Sequence, residues 1–308
     1  MTRQELEEGV NIGDTVKITT KSGEFTGRVE EFGESAVKLT NPENGKPKRI
    51  AYDFIMEYDT DIAPAADVIS IGVDTDSKMI AIPGTNYRMG QTPVTQRLYK
   101  KVMGENPSWF QHSNDELNDD QRDALEGNTA NNPVENVSWF DAVYFCNKLS
   151  IKDGFTPVYS VEGETTPEYW GYTPHKDESL ESKVECDFDA NGYRLPTNDE
   201  WEKAAYGDEY YTYSGSDNLD EVGWYNRNSN NVTHPVAQKM ANRYGLYDMS
   251  GNVWEWVWGA TPNAPVSRYP RGGSYGNGAD GCVVFRNICS HADYRGARLG
   301  FRLLQSLN

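Results

Sequence analysis

The twelve residues Gly245-Leu246-Tyr247-Asp248-Met249-Ser250-Gly251-Asn252-Val253-Trp254-Glu255-Trp256 set two tryptophans one residue apart behind a polar turn. Trp254 and Trp256 read as core, because an indole removes a large apolar area from water when buried. Trp139 and Trp201 read the same way, and Arg194 beside Leu195-Pro196 reads as an arginine held in a buried polar network. Gly272 and Gly273, ahead of Ser274, mark a backbone position of unusual φ or close packing. Aromatic residues make up 12% of the 308, so a modest aliphatic content still fills an interior. A chain of this length accommodates one sizeable domain and a small one.

Composition narrows the function classes. The formal net charge of -18 argues against a nucleic-acid partner, which requires clustered Lys and Arg. The mean hydropathy is -0.74, and no apolar run approaches the roughly 20 residues that span a bilayer. The opening MTRQELEEGV is acidic and lacks the apolar centre of a secretory signal; display on a cell or virion surface would need a signal or anchor from elsewhere. Cys146, Cys186, Cys282 and Cys289 match neither a CxxC metal pattern nor a dense disulfide framework and read as free thiols.

Working toward the N-terminus, residues 1–60 alternate apolar and polar positions in short runs: Val16, Ile18 and Thr20; Phe25, Gly27 and Val29; Ala36, Val37 and Leu39; Ile50, Tyr52 and Ile55. Period-two runs separated by turns predict four or five antiparallel strands closing into a small SH3-like all-β barrel. Residues 61–77 read as a linker with one short strand at Val68–Val73, and residues 78–308 as an α+β domain. Three helices are expected there: Gln96–Met103, Asp141–Leu149 with Ser138 as N-cap, and Asn198–Ala205 opened by Thr197 with Glu200 in capping-box spacing. The acidic stretch Asn114–Asp123 is expected to be a solvated loop.

Several motifs follow in order: Met89-Gly90 with Pro93-Val94-Thr95, Pro133 to Trp139, Gly192 to Thr197 followed by Glu200-Trp201-Glu202, the stretch 245–256, Arg271-Gly272-Gly273-Ser274-Tyr275, and Leu299-Gly300-Phe301-Arg302. Residues 78–304 thereby resemble the formylglycine-generating-enzyme (sulfatase-modifying factor) family. The resemblance implies a C-type-lectin-like fold of that family's kind. It also implies oxidation of a substrate cysteine on copper held by two cysteines, at positions that here are Asn277 and Cys282. An amide cannot replace a thiolate ligand, so copper is not expected and no catalytic residue is assigned. Iron chemistry of related members calls for a histidine cluster, and His112, His175, His234 and His291 show no such spacing.

The same resemblance implies calcium at the quoted turn, with side-chain oxygens from Asp248 and Glu255 and backbone carbonyls of Gly251 and Val253, a mix suited to Ca²⁺. A turn closed by hydrogen bonds alone is the competing reading. Asp187 to Gly192 matches the first half of an EF-hand loop, but the twelfth position is Asn198 and the match is read as chance.

Residues 275–298, YGNGADGCVVFRNICSHADYRGAR, contain no Lys, Glu, Gln, Met or Trp. These types are roughly a fifth of the chain, so their chance absence over the window falls below about one in a hundred. Every residue type present is reachable by randomising the first two bases of pyrimidine-ending Asn codons. The segment resembles the variable region of proteins diversified by a diversity-generating retroelement. That implies a variable ligand-binding surface in place of a catalytic centre, formed by Tyr275, Gly276, Gly278, Asp280, Gly281, Phe285, Asn287, Ile288, Ser290, His291, Asp293, Tyr294, Gly296 and Ala297 and facing a protein or glycan. Tyr275, Phe285 and Tyr294 are expected to supply contact area, and Asp280, Arg286, His291 and Asp293 charge selectivity. Ala279, Cys282, Arg286, Arg295 and Arg298 are candidate scaffold positions, with Cys282 in the core. The alternative is a formylglycine-generating or related oxidase with an altered site.

Overall fold

The computed structural model describes residues 78–307, apart from 126, 177–178, 181–182 and 262–263, and the backbone of five strands between residues 15 and 59. The chain divides into two units, 1–71 and 72–308. In the first, β1 (Thr15–Thr20), β2 (Gly23–Phe32), β3 (Ala36–Thr40), β4 (Pro47–Ala51) and β5 (Ile55–Asp59) form an antiparallel sheet in the order β4-β3-β2-β1-β5. The expected number of strands is present. Closure into a barrel, the linker and the strand at 68–73 lie outside the described residues.

The second unit is α+β. β6 (Met79–Ala81), β7 (Tyr87–Gly90), β10 (Tyr193–Arg194) and β15 (Leu304–Ser306) make one sheet, ordered β10-β15-β7-β6. A second sheet contains β11 (Trp254–Thr261), β12 (Ala264–Arg271), β13 (Ser290–His291) and β14 (Leu299–Phe301), ordered β13-β12-β11-β14. There β14 runs parallel to β11, Trp254 opposite Leu299 and Trp256 opposite Phe301. β8 (Tyr159–Val161) and β9 (Val184–Cys186) form a separate pair.

The three expected helices form, the second and third with the expected caps. α1 spans Gln96–Met103, with Thr95 as N-cap and Gly104 left-handed after it. α3 spans Trp139–Lys152, its N-cap Ser138 in a reciprocal capping box with Asp141. α4 spans Asn198–Tyr206, with Thr197 and Glu200 as the box. Each box satisfies two end N–H groups that the helix leaves unpaired. The stretch 114–123 is not simply a loop. It turns into α2 (Asp119–Ala124), where Asn118 caps Gln121 N and Gln121 returns a bond to the Asn118 N–H. The short α5 spans Leu219–Val222.

The core is aromatic. Trp139, Trp201 and Trp256 are fully buried and Trp254 nearly so. Each of the first three finds an acceptor for its indole N–H: Val257 O for Trp139, Glu255 Oε2 for Trp201 and Val137 O for Trp256. A buried N–H left unpaired would offset much of the gain from burying the ring. Arg194 is buried and doubly bonded to Glu200 at 2.7 Å, as expected. A second buried arginine, Arg302, binds Glu255 and the carbonyls of Gly90 and Tyr247. It thereby ties the quoted turn to both sheets.

Candidate recognition surface

The segment 275–298 hangs from the core by alternating anchors. Gly272 and Gly273 enter it with φ of +91° and +79°. A Cβ on Gly273 would lie 2.7 Å from Cys282 Sγ, so only glycine fits that approach. Backbone bonds then fasten the segment to the rest of the domain: Tyr275 N to Asn252 O, Val284 N to Thr212 O, Ala292 N to Val266 O and Leu299 N to Gly296 O. The domain also donates to it, from Trp139 N to Ala292 O and from Asn136 N to Gly296 O. Regular structure within it is confined to a 3-10 turn at Ala279–Gly281 and the two-residue β13.

Cys282, Val283, Val284 and Ala292 face inward and are buried. Phe285 and Tyr294 stay 66% and 56% exposed, and Asp280, Arg286, Asn287, His291 and Arg298 are exposed beside them. Gly276, Gly278, Gly281, Ser290, Asp293 and Gly296 are half-buried. Ile288 and Ala297 are half-buried too but pack against core clusters. His291 Nδ1 lies 2.7 Å from Asp293 Oδ1.

Tyr275 departs from its expected place. It is 6% exposed and stands edge-on to Phe110 at 5.1 Å, so its ring belongs mainly to the core. The proposed scaffold arginines separate likewise. Arg286 and Arg298 are exposed, Arg298 lying over the Tyr275 ring at 5.6 Å. Arg295 is structural: its Nε donates to Asp141 Oδ2 at 2.7 Å, and its Nη2 to Asp141 Oδ1 and the Tyr172 hydroxyl. Burial raises the Asp141 pKa, but the Arg295 hydrogen bonds, the nearby His175, the Arg295 charge and the Ser138 N–H together outweigh it and hold the carboxyl below its ordinary range. Sequence offered no sign of this link, because Arg295 and Asp141 are 154 positions apart.

The two positions assigned to copper by the resemblance meet around Ser274. Asn277 Oδ1 accepts from the Ser274 N–H at 3.1 Å and its hydroxyl at 2.6 Å. Cys282 Sγ sits 4.0 Å from the Ser274 carbonyl. Burial pushes the Cys282 thiol up to about 12, away from the thiolate that would ligate a metal.

The calcium positions give a different picture from the expected one. Glu255 Oε2 accepts from Trp201 and both its oxygens accept from Arg302. Asp248 Oδ2 accepts from Ala237 N, and burial raises its pKa to about 6. A carboxylate already neutralised by a buried guanidinium does not fit a Ca²⁺ ligand set. Among the described residues, no three His, Cys, Asp or Glu side chains gather as a metal-holding group.

One cavity opens beside the segment, about 330 Å³ in volume, lined by Asn118, Asp120, Gln121, Asn230, Asn231, Tyr275 and Arg298. Five of these lie far from 275–298 in sequence. They were not legible as site residues, since a helix cap at 118–121 and a turn at 230–231 carry no signal of ligand binding and lie far apart in sequence.

The fold and the ordered motifs define a member of the sulfatase-modifying-factor family: residues 70–307 match the model of the sulfatase-modifying factor enzyme 1-like domain, and the chain belongs to that family. Among its relatives is the chaperone protein LppX of Paenibacillus barcinonensis, 37% identical over 62% of this chain and 70% of that one. The formylglycine-generating enzyme of Mycobacterium tuberculosis is 42% identical over 21% of this chain and 27% of its own. The inactive C-alpha-formylglycine-generating enzyme 2 of Mus musculus is 31% identical over 37% and 44%. The solved structure of Treponema denticola variable protein 1 matches with a TM-score of 0.60 and 29% identity, covering 94% of this chain and 98% of that one.

Proposed function

We propose that this protein is a catalytically inactive ligand-binding member of the family, with residues 275–298 diversified by a diversity-generating retroelement. The observation that carries the reading is the division of labour within the segment. Its backbone and its buried side chains hold the fold, while Phe285, Tyr294, His291, Arg286, Asn287 and Asp280 meet solvent. Exposed positions on an anchored loop exchange at little cost to stability, which a rewritten surface requires. Large rigid aromatics beside small polar residues also match the chemistry of paratopes. The likeness to the Treponema denticola variable protein supports the same reading. The ligand is a protein or a glycan displayed by a partner.

Against an oxidase stand the amide at 277 and the protonated, buried thiol at 282. The identity to a mycobacterial formylglycine-generating enzyme keeps that chemistry as the second reading. Titration of the reduced protein with Cu(I), with Cys282→Ala as control, decides it: tight binding lost in the variant would establish the oxidase. The flanking DNA tests the leading proposal. A reverse transcriptase gene beside an Asn-rich near-copy of the 275–298 coding segment is expected, and absence of both would overturn it.

A further inference from the structure

The 330 Å³ cavity has two walls from distant parts of the chain. One wall comes from the ends of the exchangeable segment, Tyr275 and Arg298; the other comes from 118–121 and 230–231, outside that segment. We infer that this cavity is a subsite for a neutral saccharide, whose ring hydroxyls the amides of the second wall bind while Arg298 selects among sugars. The inference rests on the recognition reading above and names the chemistry of its ligand.

Four of the seven lining residues carry side-chain amides. The oxygens of Asn118 and Gln121 are already used in their reciprocal cap, which leaves the NH₂ groups to a ligand. Asn230 and Asn231 take successive left-handed conformations, with φ of +52° and +58°. Ser229 fixes that turn: its hydroxyl accepts from Asn231 N and donates to Tyr275 O, joining the turn to the segment. The cap thus fixes the Asn118 and Gln121 amides, and the turn fixes the backbone that carries Asn230 and Asn231, which reduces the entropy a ligand must overcome.

The lining selects against other ligands. Tyr275 exposes too little ring for an apolar side chain, and such a side chain would leave several amides without partners. Asp120 and Arg298 balance in charge, and the chain as a whole carries -18, so phosphate, sulfate or carboxylate groups are disfavoured. Sugar hydroxyls both donate and accept, and planar amides bridge adjacent ones. The volume lies at the small end of ligand cavities and admits a mono- or disaccharide.

The full chain is applied to a printed array carrying neutral glycans, sialylated and sulfated glycans, and short peptides, with affinities for the bound glycans then measured by calorimetry. Binding confined to neutral glycans is expected. Asn230→Gly and Asn231→Gly, both of which keep the left-handed turn available, should each weaken it at least about tenfold without moving the thermal midpoint. Binding only to acidic glycans, only to peptides, to nothing on the array, or undiminished in both variants would overturn the subsite. The two readings fail separately. A template repeat in the flanking DNA with no neutral-glycan binding retires the subsite alone; cavity-dependent glycan binding with no template repeat retires the diversification alone.

Discussion

Removal of the Arg295 side chain tests whether this arginine is scaffold or contact. In the folded domain its guanidinium makes two bonds to Asp141, whose side chain is wholly buried, and a third to Tyr172 at 2.8 Å. Arg295→Ala removes the guanidinium that neutralises the buried carboxylate and leaves it the Ser138 and His175 N–H groups, the Tyr172 hydroxyl and the His175 ring nearby. Breaking a buried ion pair by deleting one partner costs about 3–5 kcal/mol. The Arg295 side chain is itself 18% exposed, so the low end, about 3 kcal/mol, applies. For a domain of this size that corresponds to a fall of roughly 6–12 °C in thermal midpoint. Tyr294→Ala, one position away and 56% exposed, should change stability by no more than about 0.5 kcal/mol. The pH dependence carries a sign. A carboxyl whose folded pKa lies below its unfolded value stabilises the fold above the unfolded pKa and loses that contribution as pH falls through the folded pKa. The gap between wild type and Arg295→Ala is therefore full at neutral pH and narrows below about pH 4. Urea unfolding followed by tryptophan fluorescence from pH 3 to 7 measures it. Equal losses in the two variants, or a gap that widens in acid, would refute the assignment of Arg295 to the scaffold.

Further outcomes follow from other buried groups. Burial raises the Glu135 carboxyl to about 8 despite its bonds from Trp109 and Phe110 N–H groups. An acid with a raised folded pKa stabilises fully below its unfolded value and loses that as pH rises, so the urea midpoint should decline between about pH 5 and 8, and flatten in Glu135→Gln. Gly273→Ala places a methyl 2.7 Å from both Cys282 Sγ and Gly281 O at a φ of +79°, and a loss exceeding about 2 kcal/mol in the unfolding free energy is expected. Glu255→Gln leaves Arg302 uncompensated in the core and should cost about 3–5 kcal/mol, read by calorimetry. Because that pair engages Glu255, one of the two calcium carboxylates, 1 mM EDTA or Ca²⁺ (roughly the range in which weak sites fill) should leave the wild-type midpoint unmoved; a calcium-dependent rise would restore the metal.

Much of the fold is legible in local chemistry. Ser138 and Asp141, and Thr197 and Glu200, announce α3 and α4, since a cap is decided by residues three positions apart. Trp139, Trp201, Trp254 and Trp256 are buried because water disfavours their area wherever the chain places them. The turn of Gly272 and Gly273 follows from their lack of a side chain, and Asn277 stands where the family resemblance implies a thiolate. Local rules went too far at Asn114–Asp123, where acidity suggested a loop and the Asn118–Gln121 box starts a helix.

Contacts across long separations are another matter. Nothing near Arg295 in sequence reveals that its partner is Asp141, nor near Glu255 that Arg302 and Trp201 take its oxygens. Tyr275 looks like a contact residue until Phe110 closes on it, and residues 118–121 reach 230–231 only across a cavity. The sequence by itself determined which segment is unlike the rest, 275–298, and that an amide stands at 277 where the family resemblance implies a thiolate. Tertiary structure alone decided which of those residues face water and which second wall stands opposite them, because burial and pairing depend on how distant segments pack.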